Sequence, residues 1–127
     1  MRKSFRVMSL AISSLALIGV IGCSSAIAEK KVAKATMSPL KQGKKLSFNK
    51  KKGNCLACHL IAGGDQAGNI GPPLVAMKAR FPDIAVLKAQ ISDPRAKNPN
   101  TIMPPFGPHG VMSAKEIELV TNYIHTL

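Results

Sequence analysis

The chain has no tryptophan, one tyrosine and four phenylalanines in 127 residues. So few aromatics offer little for nucleic-acid bases to stack on, which counts against binding DNA or RNA. They also leave a small domain short of large side chains for its core. Carboxylates are scarce too: six Asp and Glu face 18 Lys and Arg, for a formal net charge of +12. No stretch alternates apolar and polar residues over the length of a strand, and no segment repeats, so neither a sheet nor a solenoid is expected. The longest apolar run, residues 7–22, is broken by serines and falls short of the roughly 20 residues a spanning helix needs. Cysteine is limited to Cys23, Cys55 and Cys58.

What is present begins with an export leader over residues 1–28. Arg2, Lys3 and Arg6 form a positive start, the apolar run follows, and Ala26-Ile27-Ala28 offers the small residues a signal peptidase reads. Val20-Ile21-Gly22-Cys23, followed by Ser24 and Ser25, also resembles a bacterial lipobox, whose cysteine is acylated and becomes residue one. Two outcomes stay open: a lipid anchor at Cys23, or cleavage after Ala28. Both place the mature chain in the periplasm, and membrane contact is expected only through such an anchor.

Three of the 18 basic residues precede Glu29 and none of the six acids does, so the chain from Glu29 carries +9. Residues 29–52 hold nine lysines and one acid, while residues 53–127 hold six basic and five acidic residues. A basic arm, with residues 29–38 as a flexible linker, thus precedes a nearly neutral body. Such an arm can steer an acidic partner, lie on an anionic membrane, or be a solvated tail.

Cys55-Leu56-Ala57-Cys58-His59 is the most informative segment. Cys-x-x-Cys-His is the attachment signature of a c-type haem. The two thiols add across the vinyl groups, and the histidine is held under the iron as an axial ligand. Two competing readings exist. A zinc site needs a second ligand pair, and the remaining cysteine lies in the leader. A redox dithiol needs a surrounding βαβ pattern, which is absent. Haem attachment in bacteria takes place outside the cytoplasm, in keeping with the leader. A domain of this size often relies on a cofactor for its core, and one haem would supply it.

Helices are expected in four places. Ser38-Pro39 is a cap and first turn, opening a helix that runs to about Lys52 with Leu40, Lys44 and Phe48 at helical spacing. A short helix is expected over residues 74–80. Asp83 caps another, whose apolar face is Ile84, Leu87 and Ile91, ended by Ser92-Asp93-Pro94. Ser113-Ala114-Lys115-Glu116 is a capping box for a last helix with an Ile117, Val120 and Ile124 stripe. Residues 93–112, rich in proline, are expected to hold no helix or strand, and a long ordered loop in a small domain is usually functional. The expected fold is all-α: three or four helices and long loops over residues 39–127, around one covalently bound haem.

The sixth iron position has several candidates: Met37, Met77, Met103, Met112, His109 and His125. Met103 is favoured because Pro104 and Pro105 stiffen the loop that would present it. Met77 suits core filling, Met112 a hydrophobic staple ahead of Ser113, and His109 is the main competitor. The other ring nitrogen of His59 needs a carbonyl partner. The Gly71-Pro72-Pro73-Leu74 turn is the local source, either proline serving. Arg80 and Arg95 are candidates for haem propionates or partner acids, with a solvated role open to both.

In order along the chain come Lys52-Gly53-Asn54-Cys55-Leu56-Ala57-Cys58-His59, Ala67-Gly68-Asn69-Ile70-Gly71-Pro72-Pro73-Leu74, Lys78-Ala79-Arg80-Phe81-Pro82-Asp83, and the string Asn98-Pro99-Asn100-Thr101-Ile102-Met103-Pro104-Pro105-Phe106-Gly107. Together, over roughly residues 40–127, they resemble SoxX, the small monohaem subunit of the SoxAX cytochrome of bacterial sulfur oxidation. The resemblance implies a class I cytochrome c-like fold and a His/Met haem mapping to His59 and Met103. It implies a SoxA-like cytochrome partner, a SoxYZ-like carrier whose cysteine is coupled oxidatively to thiosulfate (an L-cysteine S-thiosulfotransferase reaction of the complex), and a soluble cytochrome c as electron acceptor. A free-standing electron carrier, and a haem sensor with an open iron site, are the other readings.

Overall fold

In the computed structural model the described residues are 37–127. The leader, Cys23 and residues 29–36 of the basic arm lie outside them. The described part is all-α. Four α-helices, α1 (Pro39–Phe48), α2 (Met77–Arg80), α3 (Ile84–Ser92) and α4 (Ala114–Ile124), are joined by long loops, with single 3-10 turns at Cys55–Ala57 and Pro94–Ala96. No strand occurs among the described residues, and none of their helices is long and apolar enough to cross a membrane.

The helix starts follow the sequence. Ser38 Oγ accepts from Lys41 N at 3.4 Å with Pro39 in the first turn, and Asp83 Oδ1 accepts from Ala85 N at 2.8 Å. The capping box of α4 is complete: Glu116 N donates to Ser113 Oγ at 3.3 Å, and Ser113 N donates to Glu116 Oε2 at 2.8 Å. These bonds and Lys52 hold the Glu116 carboxyl below its ordinary value of 4.5.

The helix ends differ from expectation in three places. The first helix stops at Phe48, not Lys52, because Asn49 turns extended and its side chain accepts from Lys51 N at 2.8 Å. A local side-chain bond of this kind competes with the helix ladder, and Gly53 N then folds back to Leu46 O at 3.2 Å. The second helix is a single turn from Met77, because Ala76 is left-handed at φ 52°. Residues 93–112 contain one 3-10 turn, capped by Asp93, whose Oδ1 accepts from Arg95 N.

Helices α1 and α4 make the main packing contact. They cross at Gly43, which is buried. A Cβ there would lie 2.1 Å from Leu119 O and 2.8 Å from Tyr123 Cβ. Phe48 and Tyr123 meet edge to face beside the crossing, with ring centroids 6.3 Å apart. Buried Ser47 and Thr121 satisfy their hydroxyls on Gly43 O and Ile117 O. The core gathers Ile117, Val120 and Ile124 of α4, Leu87 and Ile91 of α3, and Ile61, Met77, Phe106 and Met112. Leu40, expected at helical spacing with Lys44 and Phe48, and Ile84, expected on an apolar face, are both exposed. Gly43→Ala is expected to force the two helices apart and cost about 3 kcal/mol, the upper end for overpacking. Thermal or urea unfolding of the haem-loaded protein measures it.

Candidate haem site

The Cys55–Ala57 turn begins from Asn54, a left-handed residue at φ 46°. Ala57 N donates to Asn54 O at 3.0 Å, and Cys58 N and His59 N both donate to Cys55 O, at 3.2 and 2.9 Å. Residues 55–59 are thus one tight helical turn. It brings both thiols and the imidazole to the wall of one cavity of about 920 Å³, within the roughly 300–1,000 Å³ typical of cofactor sites.

The loop over residues 68–74 runs beside that turn and is tied to it by three backbone bonds. Gly68 N donates to Leu56 O, Gly71 N to Cys58 O and Leu74 N to Leu60 O, at 2.7, 2.8 and 2.9 Å. The contact is close because Gly71 has no side chain: a Cβ there would sit 2.4 Å from His59 Cε1. The next residue supplies the partner of the imidazole. Pro72 O lies 2.7 Å from His59 Nδ1, so of the two prolines left open by the sequence it is Pro72 that serves. A carbonyl only accepts, so Nδ1 is the donor in this bond, which leaves Nε2 as the nitrogen free to act as a ligand. Arg80 Nη1 donates to Pro73 O at 2.7 Å and steadies the same turn. The sequence showed an irregular Gly/Pro loop here. The requirement for a missing Cβ against the imidazole was not visible in it.

Two methionines line the cavity, Met77 and Met103. Met77 is 1 % exposed, and its sulfur takes a hydrogen bond from Arg80 Nη1 at 3.4 Å. Met103 is half-buried, and its sulfur has no hydrogen-bond partner among the described residues. Its loop is fixed at both ends: Met103 N donates to Thr101 Oγ1 at 3.1 Å, Gly107 N to Ser92 O at 3.0 Å and Met112 N to Phe106 O at 3.1 Å. The other candidates lie away from the cavity wall. Met37 and His109 are exposed, Met112 is a buried core residue, and the His125 ring is hydrogen-bonded to Phe81 O at 3.0 Å. Arg95 is also elsewhere: it forks onto Asp93 at 2.8 Å and holds that carboxyl below its usual range.

The remaining walls are apolar, from Leu74, Leu87, Ile91, Phe106, Val120 and Ile124. Lys50, Lys51, Lys52, Arg80 and Lys97 also line the cavity, with no carboxylate among the lining residues. This composition fits a haem, an apolar macrocycle with two acidic groups at one edge. Lys52 links the two sides of the site, with Nζ 2.9 Å from Glu116 Oε1 and 3.3 Å from Val111 O.

The competing readings of the cysteine pair find little here. Burial pushes the Cys55 thiol from 9.0 up to about 11, against a lowering hydrogen bond from Ser47. A reactive dithiol needs the opposite shift. No group of three or more His, Cys, Asp or Glu able to hold a metal ion occurs among the described residues.

A small all-α domain with a Cys-x-x-Cys-His turn at the wall of an apolar cavity defines a c-type cytochrome. Residues 38–124 match the family described as "Cytochrome C oxidase, cbb3-type, subunit III", and the chain belongs to that family. Membership implies a covalently bound haem c and electron transfer. The chain is also 37 % identical over 79 residues to an "Uncharacterized lipoprotein" of Aquifex aeolicus (strain VF5). That match covers 59 % of this chain and 37 % of the relative's length, so the chain spans well under half of it.

Proposed function

We propose that this chain is an exported electron-transfer subunit similar to SoxX. In it Cys55 and Cys58 would hold one haem c, and His59 Nε2 and Met103 Sδ are the groups that would bind its iron. The observation that carries this reading is the 2.7 Å bond from His59 Nδ1 to Pro72 O. It commits one ring nitrogen to orienting the imidazole and leaves the other as a donor, in a cavity that an unpartnered methionine also lines. Bound there, haem supplies a one-electron iron centre. Ligation by His and Met favours its reduced form and leaves no open position for substrate.

In a SoxAX-like complex, a SoxA-like partner joins thiosulfate to a cysteine thiolate of a SoxYZ-like carrier. Forming that S–S bond releases two electrons. This chain takes them one at a time and passes them to a soluble cytochrome c. It brings no nucleophile of its own, since both cysteines of the domain are committed to haem. Its redox partners dock where Ile70 and Ile102, 64 % and 76 % exposed, stand at the cavity among its cations. An acidic surface with an apolar centre suits that mouth. A relative called a lipoprotein favours acylation at Cys23 over release after Ala28, leaving the domain tethered in the periplasm.

A free-standing carrier is the second reading, since the family match supports a c-type cytochrome domain without a SoxA-like partner. Pull-down from mildly solubilised membranes of thiosulfate-grown cells, with haem staining and mass spectrometry, separates the two. The expected result is co-recovery of a second haem-bearing chain, with an acylated Cys23 at the N-terminus. Recovery of this chain alone selects the carrier, and a free Glu29 N-terminus rejects the anchor.

A further inference from the structure

The nine lysines of residues 29–52 are not used by the haem site as a group. Lys41, Lys44 and Lys45 lie on α1, none of whose residues lines the cavity. All three are exposed, and none of them, nor Lys50 or Lys51, is in an ion pair among the described residues. Lys41 and Lys45 point away from the edge that buries Gly43 and Ser47 against α4, while Lys44 flanks that edge, its Nζ 5.4 Å from the centre of the Phe48 ring. Two exposed apolar side chains lie at the start of the helix, Leu40 in its first turn at 46 % and Met37 just ahead of the Ser38 cap at 44 %. A helix side that mixes lysines with apolar side chains is the pattern of a contact at the lipid headgroup boundary.

The chain itself puts this face near a bilayer. Met37 follows Cys23 by 14 residues, so an acylated Cys23 holds α1 within about 50 Å of the membrane even if the intervening chain were fully extended. Lysines 30, 31 and 34 fall in that interval.

We infer that the exposed residues of α1 (Leu40, Lys41, Lys44 and Lys45), with Met37 just before it, are a docking surface for anionic phospholipid, which lays the tethered domain on the membrane through α1. The inference rests on the exported, anchored reading but not on the redox partner. Because α1 is apart from the cavity wall, docking leaves the haem mouth free for electron exchange.

The test uses haem-loaded protein beginning at Glu29, which keeps the arm and every described residue but carries no lipid. It is sedimented with vesicles of 40 % phosphatidylglycerol in phosphatidylcholine, and with pure phosphatidylcholine. Binding is expected only to the anionic vesicles, with loss at 0.5 M salt, where screening falls to a few ångströms. The variant K41Q/K45Q is expected to bind on the order of 25-fold more weakly, about fivefold for each surface lysine lost. Its haem spectrum and helical circular dichroism should be unchanged, since both side chains are exposed. Equal binding to both vesicle types, undiminished binding of the variant, or no binding overturns the inference. So does retention on an acidic polypeptide column without vesicle binding, which would assign the face to an acidic protein. A colourless protein would instead fail the cytochrome reading itself.

Discussion

Replacing Met103 by alanine is expected to abolish the weak near-infrared band of a thioether–iron bond. It should also lower the reduction potential by on the order of 0.1 V, a fraction of the ~0.8 V that axial ligation spans. The expectation rests on the lack of a substitute. Met77 also lines the cavity, but its side chain is fully buried, its sulfur is engaged by Arg80, and its N–H is held by Leu127 O at 2.8 Å. His109 is exposed and away from the wall. With Met103 gone, the iron would be open on one side, so the reduced variant should bind carbon monoxide rapidly while the parent protein binds it slowly. Optical titration and flash photolysis read both effects. A persistent band, or a parent protein as reactive as the variant, would send the sixth position back to the other candidates.

The parts of the site legible in the sequence were those fixed by bonds between near neighbours. The turn over residues 55–59 is such a part, since His59 N and Cys58 N both close on Cys55 O. The caps at Ser38, Asp83 and Ser113 are others, each a side chain bonded to a backbone two or three residues on. The Ile117, Val120 and Ile124 stripe was legible because α4 has one buried face along its length.

What stayed hidden depends on contacts between distant segments. Gly43 gives no periodic signal, yet the α1–α4 crossing is built on its missing Cβ. Leu40 lies on the same stripe as buried Gly43 and Ser47, but it sits in the first turn of α1 and stays exposed. Arg95 reads like a free cation until Asp93, two residues earlier, is found to hold it in a forked pair. The end of α1 was lost for a different reason: Lys50, Lys51 and Lys52 are acceptable helix formers, and only the side-chain bond of Asn49 decides against them.

Stripping the haem from the variant C55A/C58A, which lacks both attachment points, is expected to cost the fold as well as the pigment. A dry void the size of the 920 Å³ cavity would be destabilising by on the order of 20 kcal/mol, above the 5–15 kcal/mol a domain commonly has in reserve. Water entering through the mouth relieves part of that, but it then wets Leu74, Leu87, Ile91, Phe106, Val120 and Ile124, among them both buried residues of α3 and two of those of α4. The chain cannot make up the loss elsewhere, because it has no tryptophan, few other aromatics and no cysteine pair besides this one. Substituting only the cysteines leaves His59 and Met103 able to hold haem without a covalent bond, so the variant should lose its colour in acid–acetone, where the parent keeps it. After extraction the variant should show no cooperative melting by circular dichroism. A colourless C55A/C58A chain that still melts sharply would mean that the helices pack without the cofactor, and that the crossing at Gly43 alone sustains the fold.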